Sequence, residues 1–227
     1  MVLPFADRAE AGRLLGERLL HEPIPRDPVV VGLPRGGVPV ALQVARRLHA
    51  PLDVLIVRKI GAPGQREFAV AALAEGPRPV LEIDEVQCAA AGADAAYIER
   101  ELQVQWREIE RRREVYRRGR PPLDLEGRTV ILVDDGIATG TTARVAIKAL
   151  RSLRPAMVVL AVPLAASETL ESLGRLCDRV VCLAQPQPLR AVGMHYVDFH
   201  QLSDVEVTSA LDAAALAQSA AGDAAPR

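Results

Sequence analysis

Two adjacent aspartates, Asp134 and Asp135, follow the apolar residues 130–133 and precede a run of glycine, threonine and small side chains. The apolar stretch predicts a buried parallel strand, which delivers both carboxylates to the carboxyl edge of the sheet, where open α/β sheets bind ligands. The backbone amides of residues 136–142 can curl around a phosphate, and a helix beginning there points its N-terminus at the same anion. Hydrogen bonds to a charged oxygen contribute roughly 1.5–3 kcal/mol each. The segment is therefore typical of a phosphate site that needs no lysine.

Carboxylates beside a bound phosphate require a reason, because their charge repels it. Hydrogen bonding to the hydroxyl groups of a ribose supplies one, with Mg²⁺ neutralising a pyrophosphate nearby. The alternative is a strand-end turn with two solvated aspartates. The chain has no GxxxxGK[ST], no GxGxxG after a strand and no GxSxG, so a P-loop, a dinucleotide site and a hydrolase elbow are excluded.

Residues 130–142 closely resemble the signature motif of the type I phosphoribosyltransferases, and a looser resemblance extends over residues 29–199. The resemblance implies a 5-phosphoribosyl-1-pyrophosphate donor, with Asp134 and Asp135 beside the ribose hydroxyls. It assigns the 5-phosphate of the donor to Ala138, Thr139, Gly140, Thr141 and Thr142. Mg²⁺ is the implied cofactor, held mainly by the substrate near the two aspartates, with no protein side chain assigned as its ligand.

An earlier segment, Leu33-Pro34-Arg35-Gly36-Gly37, resembles the pyrophosphate loop of the same family. Gly36 and Gly37 let the backbone approach an anion, and Arg35 offers a bidentate pair of donors; an ordinary turn is the alternative. Arg58 and Lys59 end the next strand at the same rim, where basic residues of related enzymes approach the pyrophosphate. Lys59, one of two lysines in the chain, is the stronger candidate, and a surface pair is the alternative.

Residues 61–68 are placed like the flexible lid of the family, which excludes water while an oxocarbenium-like ribose is exposed; an inert surface loop is the alternative. Ala138 stands where hypoxanthine-guanine members carry an aspartate that assists the purine ring nitrogen. A proton-transfer group must then come from elsewhere. Glu67, in the predicted lid, is the candidate, and a solvated glutamate is the alternative.

Residues 186–199 are similar to the hood segment of purine members, which stacks on the base and hydrogen-bonds it. Asp198 is the candidate for reading the base, although the spacing from Gly193 to Asp198 is one residue longer than in the pattern compared. His195 and His200 do not match a helical metal pair, so they are expected to be surface or packing residues. The acceptor stays open between a purine, a pyrimidine and a non-base amine, with this segment favouring a purine.

The periodicity of apolar residues predicts the elements that position these side chains. Strands are expected at 29–33, 54–57, 70–73, 80–83, 129–133, 157–162 and 180–183, and helices at 7–20, 37–49, 84–90, 94–118, 141–153, 167–173 and from 203, with a mobile loop at 60–68. Strand–helix–strand alternation implies parallel pairing with right-handed crossovers. The predicted class is α/β, in the type I phosphoribosyltransferase fold: a mostly parallel five-stranded sheet flanked by helices, with a small hood and an inserted long helix.

The long helix at 94–118 ends in a cluster of arginines: Arg111, Arg112, Arg113, Arg117 and Arg118. Cations at a helix C-terminus interact favourably with the macrodipole. A solvated basic helix end is therefore the favoured interpretation, and a substrate or partner surface is the alternative.

Composition limits the classes of function. The 28 basic and 29 acidic residues leave a net charge of −1, which is not the footprint of a nucleic-acid-binding protein. No apolar run approaches the ~18 residues of a membrane span, and Asp7, Arg8 and Glu10 stand where a signal peptide needs an apolar core, so a cytoplasmic protein is expected. The three cysteines share no CxxC spacing, which argues against a disulfide framework or a zinc site.

The leading hypothesis is a Mg²⁺-dependent transfer of ribose 5-phosphate to a nitrogen acceptor, and the second is a non-catalytic regulatory module that senses the donor. One phosphoribosyltransferase domain is predicted over residues 1–212, its hood formed by about 185–199 with the N-terminal segment, and residues 213–227 are predicted to be a frayed tail. The implied partners are small molecules, without nucleic acid or membrane. Members of the family commonly form dimers, so a homodimer is the implied assembly.

Overall fold

The computed structural model describes residues 3–25, 27–76 and 79–223, with side chains up to residue 218. Its helices are α1 (Arg8–Leu20), α2 (Gly37–Leu48), α3 (Glu85–Ala91), α4 (Ala95–Arg117), α5 (Thr141–Ser152), α6 (Ser167–Gly174) and α7 (Asp204–Asp223). Its strands are β1 (Val29–Gly32), β2 (Leu52–Val54), β3 (Val57–Ala62), β4 (Gln65–Ala74), β5 (Val80–Ile83), β6 (Thr129–Val133), β7 (Met157–Leu164) and β8 (Arg179–Ala184). None of these helices is both long and apolar enough to cross a membrane.

The main sheet has five parallel strands in the order β2-β1-β6-β7-β8. Strands β1 and β6 are central neighbours, and their register pairs Val30 with Ile131 and Gly32 with Val133. Because both strands end at the same edge, the segments that follow them lie side by side. The predicted α/β class, with a five-stranded parallel sheet flanked by helices, is confirmed.

Both faces of this sheet are covered, which explains why its strands are continuous apolar runs rather than alternating ones. On one face, Val31 and Leu132 pack with α5 residues such as Ile147. On the other, Val30 and Ile131 pack with residues of α1 and α2. The strand that carries the two aspartates is thus fixed from both sides.

A second, three-stranded antiparallel sheet, β3-β4-β5, is inserted between β2 and β6 together with α3 and α4. The expected strand at 54–57 is divided here: Leu55 donates its amide to the Gly32 carbonyl at 3.2 Å, whereas Ile56 donates to the Glu75 carboxylate at 2.9 Å. The chain therefore leaves the main sheet at these two residues, and both are buried although neither belongs to a strand.

The expectation of a mobile loop at residues 60–68 is wrong, because β3 and β4 form a hairpin there. Its turn contains Pro63 and Gly64, whose φ of +73° favours glycine. The ladder shifts register at Gly61, where a Cβ would overlap the backbone of Arg66. The glycines that suggested a flexible loop are instead the turn and the irregularity of a β-hairpin.

Helix termini were predicted well. Asp7, Asp84 and Asp94 each accept a hydrogen bond from the third residue of the helix they precede, at 2.7–2.9 Å. Ser203 and Glu206 form a reciprocal capping box at the start of α7. That helix continues to Asp223, through the segment expected to fray, while residues 224–227 lie outside the described part of the chain.

The arginines at the end of α4 are not the uniformly solvated group that was expected. Arg112 is buried against Glu108, with its Nε 2.7 Å from the carboxylate. The Arg117 side chain is 11% exposed and bridges Asp53 and Glu75. Arg113 and Arg118 are about half exposed, so the C-terminal turns of this helix present one face to the protein and one to solvent.

Candidate active site at the carboxyl edge of the sheet

The two adjacent aspartates lie at the end of β6, at the carboxyl edge of the main sheet. The amide of Asp135 donates to Oδ1 of Asp134 at 2.9 Å, and the Asp135 side chain is only 14% exposed. Burial and then the charge of Asp135 raise the pKa of Asp134, with Lys59 opposing that rise. Burial also raises the pKa of Asp135. A pair of carboxyl groups so placed favours a ligand that supplies hydrogen-bond donors or positive charge.

The loop that follows the pair is fixed at both of its sides. Ile137 donates its amide to the Leu164 carbonyl at 2.9 Å and accepts from the Ala166 amide at 3.1 Å, which ties the loop to the end of β7. The Thr169 hydroxyl donates to the Ala138 carbonyl at 2.7 Å. These hydrogen bonds tie Ile137 and Ala138 to the end of β7 and to α6.

Helix α5 begins directly after this loop, at Thr141. Gly140 has a φ of +77°, and a Cβ at this position would lie 2.6 Å from Cγ2 of Thr169. Both the backbone conformation and the lack of space therefore favour glycine here. Within the described residues, the backbone amides of residues 138–142 donate to no protein acceptor. Free amides at a helix N-terminus can bind an anion, and the five residues predicted to bind the phosphate lie together at this one.

The segment predicted as a pyrophosphate loop joins β1 to α2 and lies against the aspartates. Leu33 donates its amide to the Val133 carbonyl at 2.9 Å. A Cβ on Gly37 would lie 2.7 Å from the Val133 carbonyl oxygen, and one on Gly36 would overlap the Asp135 carboxylate. These glycines were predicted to admit an anion, which stays a prediction; in the structure they allow the two loops to touch each other. Arg35, next to them, is partly exposed and makes no recorded ion pair within the described residues.

Arg58 and Lys59, at successive positions of β3, have different surroundings. Arg58 is half-buried and donates from Nε to Oε1 of Gln105 on α4 at 3.0 Å. Burial, and then the charge of Arg112, lower the pKa of Arg58, and Arg35 acts in the same direction. Lys59 is exposed, and its charge acts on Asp134. The charge of Lys59 therefore favours ionisation of Asp134, while Arg58 is held to α4 through Gln105.

Glu67 and Asp198 are both exposed. Glu67 is exposed on the β4 side of the hairpin. The Asp198 side chain is 61% exposed and accepts from the backbone amide of His200 at 3.1 Å. His200 is 54% exposed, as expected of a surface histidine. The roles of Glu67 in proton transfer and of Asp198 in base reading remain predictions.

Sequence reasoning missed two residues that contact Asp135. Arg8, at the start of α1, places its Nε 2.8 Å from Oδ2 of Asp135, and its side chain is 9% exposed. The hydroxyl of Tyr196 donates to the Asp135 backbone carbonyl at 2.6 Å. Arg8 precedes Ala11 by three residues and Leu15 by seven, so it lies on the buried face of the helix. The position of this charged residue on the apolar face of α1 was the sequence signal that could have identified it.

The family model for the phosphoribosyl transferase domain matches residues 9–198, which include both loops of this site and the strands and helices that they join. The chain belongs to the phosphoribosyltransferase family.

Two Mycobacterium tuberculosis proteins whose names contain the words phosphoribosyl transferase are 46% identical to this chain over 210 residues, or 92% of it. The match covers 47% of each of them, so the chain spans about half the length of these curated relatives. The crystal structure of TT1426 from Thermus thermophilus is 44% identical, with a TM-score of 0.76 over 92% of this chain and 98% of that one. This phosphoribosyltransferase domain therefore has a near-complete structural counterpart.

The side chains of this phosphoribosyltransferase domain fit a Mg²⁺ ion that is held mainly by the phosphates of a substrate. Within the described residues there is no group of three or more His, Cys, Asp or Glu side chains that could hold a metal. Mg²⁺ keeps several waters and binds largely through substrate phosphates, so it needs no protein cage. Asp134 and Asp135 could contact such an ion indirectly, through its bound water molecules or through ribose hydroxyl groups.

Proposed function

We propose that this chain transfers ribose 5-phosphate from 5-phosphoribosyl-1-pyrophosphate to a nitrogen acceptor and releases pyrophosphate. The observation that carries the proposal is the contact between two glycine loops, one after β1 and one after β6, with the half-buried Asp134 and Asp135 pair between them. One loop ends at the amides of a helix N-terminus, and the other carries Arg35, which has no ion pair among the described residues. A sugar with phosphate groups at both ends matches this arrangement.

In this proposal the 5-phosphate binds the amides and hydroxyls of residues 138–142, and Gly140 allows the backbone to turn around it. Asp134 and Asp135 accept hydrogen bonds from the ribose hydroxyls and hold C1 in place. Arg35, with the backbone at Gly36 and Gly37, binds the pyrophosphate. Mg²⁺ bound to the donor would offset the charge of the pyrophosphate as it departs.

The chemical step breaks the bond between C1 and the pyrophosphate oxygen, whose electron pair leaves with the pyrophosphate. A bond from C1 to the acceptor nitrogen forms, and the acceptor loses a proton. Positioning and electrostatic stabilisation supply most of the rate in such a transfer. Lys59 and Arg58 add positive charge at the same rim, and Glu67 is the proposed proton acceptor if the hairpin closes over the site.

A purine base is the proposed acceptor, because residues 186–199 resemble the hood of purine members. Asp198 would then hydrogen-bond the base after a rearrangement that frees it from His200. The hood and α1 both approach Asp135, so an acceptor bound against the hood would lie beside the ribose.

The test is donor binding by calorimetry, with and without Mg²⁺, followed by pyrophosphate release with a panel of bases. We expect Mg²⁺-dependent binding by the wild type and release with at least one purine. The double variant Asp134→Asn/Asp135→Asn should lose affinity by at least about tenfold, since each carboxylate hydrogen bond contributes roughly 1.5–3 kcal/mol. Asp124→Asn, an exposed aspartate outside the site, is the control and should bind normally.

Absence of donor binding by the wild type, or an unchanged affinity in the double variant, would contradict the proposal. Tight donor binding with no pyrophosphate release for any acceptor would instead favour a regulatory module that senses the donor.

A further inference from the structure

Arg8 makes three different contacts at the edge of the site. Its Nε donates to Oδ2 of Asp135 at 2.8 Å, and its Nη1 donates to the backbone carbonyl of His200 at 3.0 Å. Its guanidinium carbon lies 3.8 Å from the centroid of the Phe199 ring. One side chain of α1 therefore joins the aspartate that follows β6 to the hood segment.

The helix that carries Arg8 is held firmly in place. Its first turn is capped by Asp7, and two glycines bring it very close to α2. A Cβ on Gly12 would lie 2.6 Å from the Val40 carbonyl oxygen, and one on Gly16 would lie 2.8 Å from Cβ of Arg47. Because α2 begins at Gly37, the pyrophosphate loop and Arg8 share one rigid support.

The hood holds Asp135 from another direction. The amide of Phe5 donates to the His195 carbonyl at 2.9 Å, and the amide of Val197 donates to the Phe5 carbonyl at 2.8 Å, which ties the N-terminal segment to the hood. Tyr196 packs against Phe5 with ring centroids 5.4 Å apart, and its hydroxyl donates to the Asp135 carbonyl. Asp135 is thus held by its side chain and by its backbone.

The contact with Arg8 leaves Asp135 able to bind a ligand. Arg8 contacts only Oδ2 of the carboxylate, and an ionised carboxylate has about four acceptor sites on its two oxygens. Two neighbouring buried carboxylates repel each other, and an uncompensated buried charge is strongly unfavourable. Arg8 supplies the compensating charge and fixes the plane of the group through a directional hydrogen bond.

We propose that Arg8 is a positioning residue for the sugar, which holds the Asp135 carboxylate in the orientation that accepts a ribose hydroxyl and couples that orientation to the hood. The inference rests on the proposed function, since it concerns how the donor is bound. It assigns to α1 and the N-terminal segment a direct part in donor affinity.

The experiment measures donor affinity by calorimetry in the presence of Mg²⁺ for the wild type, Arg8→Met and Arg8→Lys. Arg8→Met should bind about 10- to 100-fold more weakly, the range expected for loss of a charge-assisted hydrogen bond. Arg8→Lys keeps the charge but loses the stacking on Phe199, and should bind about two- to fivefold more weakly. Arg13→Met, an exposed arginine of the same helix, is the matched control and should equal the wild type.

Two further readouts separate positioning from general stability. In steady-state assays, Arg8→Met should raise the KM for the donor more than it lowers kcat at saturating donor. In a double-mutant cycle, Arg8→Met should change donor affinity less than about twofold, roughly the limit of additivity error, when Asp135 is already Asn. If Arg8→Met does not fold, Arg8→Lys, with its own cycle against Asp135→Asn, decides the question.

Donor affinity equal to or tighter than that of the wild type in the Arg8 variants would overturn the inference, as would an undiminished effect in the Asp135→Asn background. In those cases the proposed function stands, because the wild type still binds the donor. A wild type that does not bind the donor overturns both.

Discussion

At the scale of single residues, Asp134 and Asp135 are placed where charge is costly. Burial raises the pKa of both, the charge of Asp135 raises the pKa of Asp134 further, and Arg8 is the cation in contact with Asp135. A fold selected for stability alone would put neutral side chains here. The arrangement is the expected one for a site whose ligand supplies the missing hydrogen-bond donors.

Replacement of Asp134 by Asn should stabilise the folded protein at neutral pH while weakening donor binding. The pKa of Asp134 is raised in the folded state, so ionisation costs stability as the pH rises from the ordinary carboxyl range, about 4, through the folded pKa. Asn removes that cost and retains an oxygen to accept the Asp135 amide. Thermal unfolding should show a gain of about 2–4 °C for each kcal/mol removed.

This gain has a defined pH dependence. Below about pH 4 the aspartate is protonated in both the folded and unfolded states, so the variant and the wild type should melt together. A variant that melts below the wild type at about pH 7, or whose gain persists at about pH 3, would show that the charge of Asp134 is not a cost to the fold.

The sequence allowed the residues of the two loops to be predicted because their chemistry depends on short local patterns. Asp134, Asp135 and Gly140 are neighbours along the chain, and a glycine loop after a parallel strand has few structural solutions. Arg8 is 127 positions from Asp135, and its contact depends on how α1 packs on α2. No local pattern encodes that packing.

At the scale of elements, α4 is anchored by a buried ion network. Arg117 donates to Glu75 at 2.8 Å and to the Val54 carbonyl at 2.9 Å, and its Nε lies 3.3 Å from Asp53. Glu75 in turn accepts from the Ile56 amide. One guanidinium therefore joins α4 to the end of the main sheet and to the start of the antiparallel sheet, where the chain passes between them.

Arg117→Met should cost about 3–5 kcal/mol of unfolding free energy, because the buried Glu75 loses its close partner and keeps only the 3.5 Å contact with Arg113. Urea denaturation would measure the loss as a lower midpoint at an unchanged slope. Arg100→Met, an exposed arginine of the same helix, should change the midpoint little. Equal midpoints for the two variants would mean that this network contributes nothing to the fold.

Elements with strong periodicity or caps were predicted closely. Both ends of β6 match the predicted residues, and α4 begins one residue after its predicted start. The division of residues 52–62 into two strands was not predictable in the same way. Residues 54–57 form one apolar run, and only the competing hydrogen bonds of Gly32 and Glu75 decide where each ladder ends. Those partners lie in other segments, so the pattern alone favours a single strand.

At the scale of the whole molecule, α7 joins the main sheet to the inserted unit. Val207 and Leu211 are buried with Val38 of α2 and Tyr116 of α4. The Tyr116 hydroxyl donates to Asp204 at 2.6 Å, and Asp212 pairs with arginines that follow α4. The predicted domain boundary at residue 212 falls inside this helix, past most of its buried contacts.

Truncation should locate the functional boundary. A chain ending at residue 216 keeps the buried positions of α7 through Ala214 and should melt within a few degrees of the full chain. A chain ending at residue 203 exposes the apolar cluster around Tyr116 and should unfold cooperatively at a much lower temperature or not fold. Far-ultraviolet circular dichroism would follow both, and similar melting of the two would contradict an anchoring role for α7.

The tight crossing of α1 over α2 links a glycine outside the site to the contact between Arg8 and Asp135. Gly12 lies one helical turn from Arg8, so a single methyl group added there would act as a wedge between the two helices. Lifting α1 by a fraction of an ångström would draw the guanidinium away from its carboxylate. The proposed binding of the sugar at the carboxyl edge of the sheet would therefore be sensitive to a substitution of Gly12, although this residue lies outside both loops.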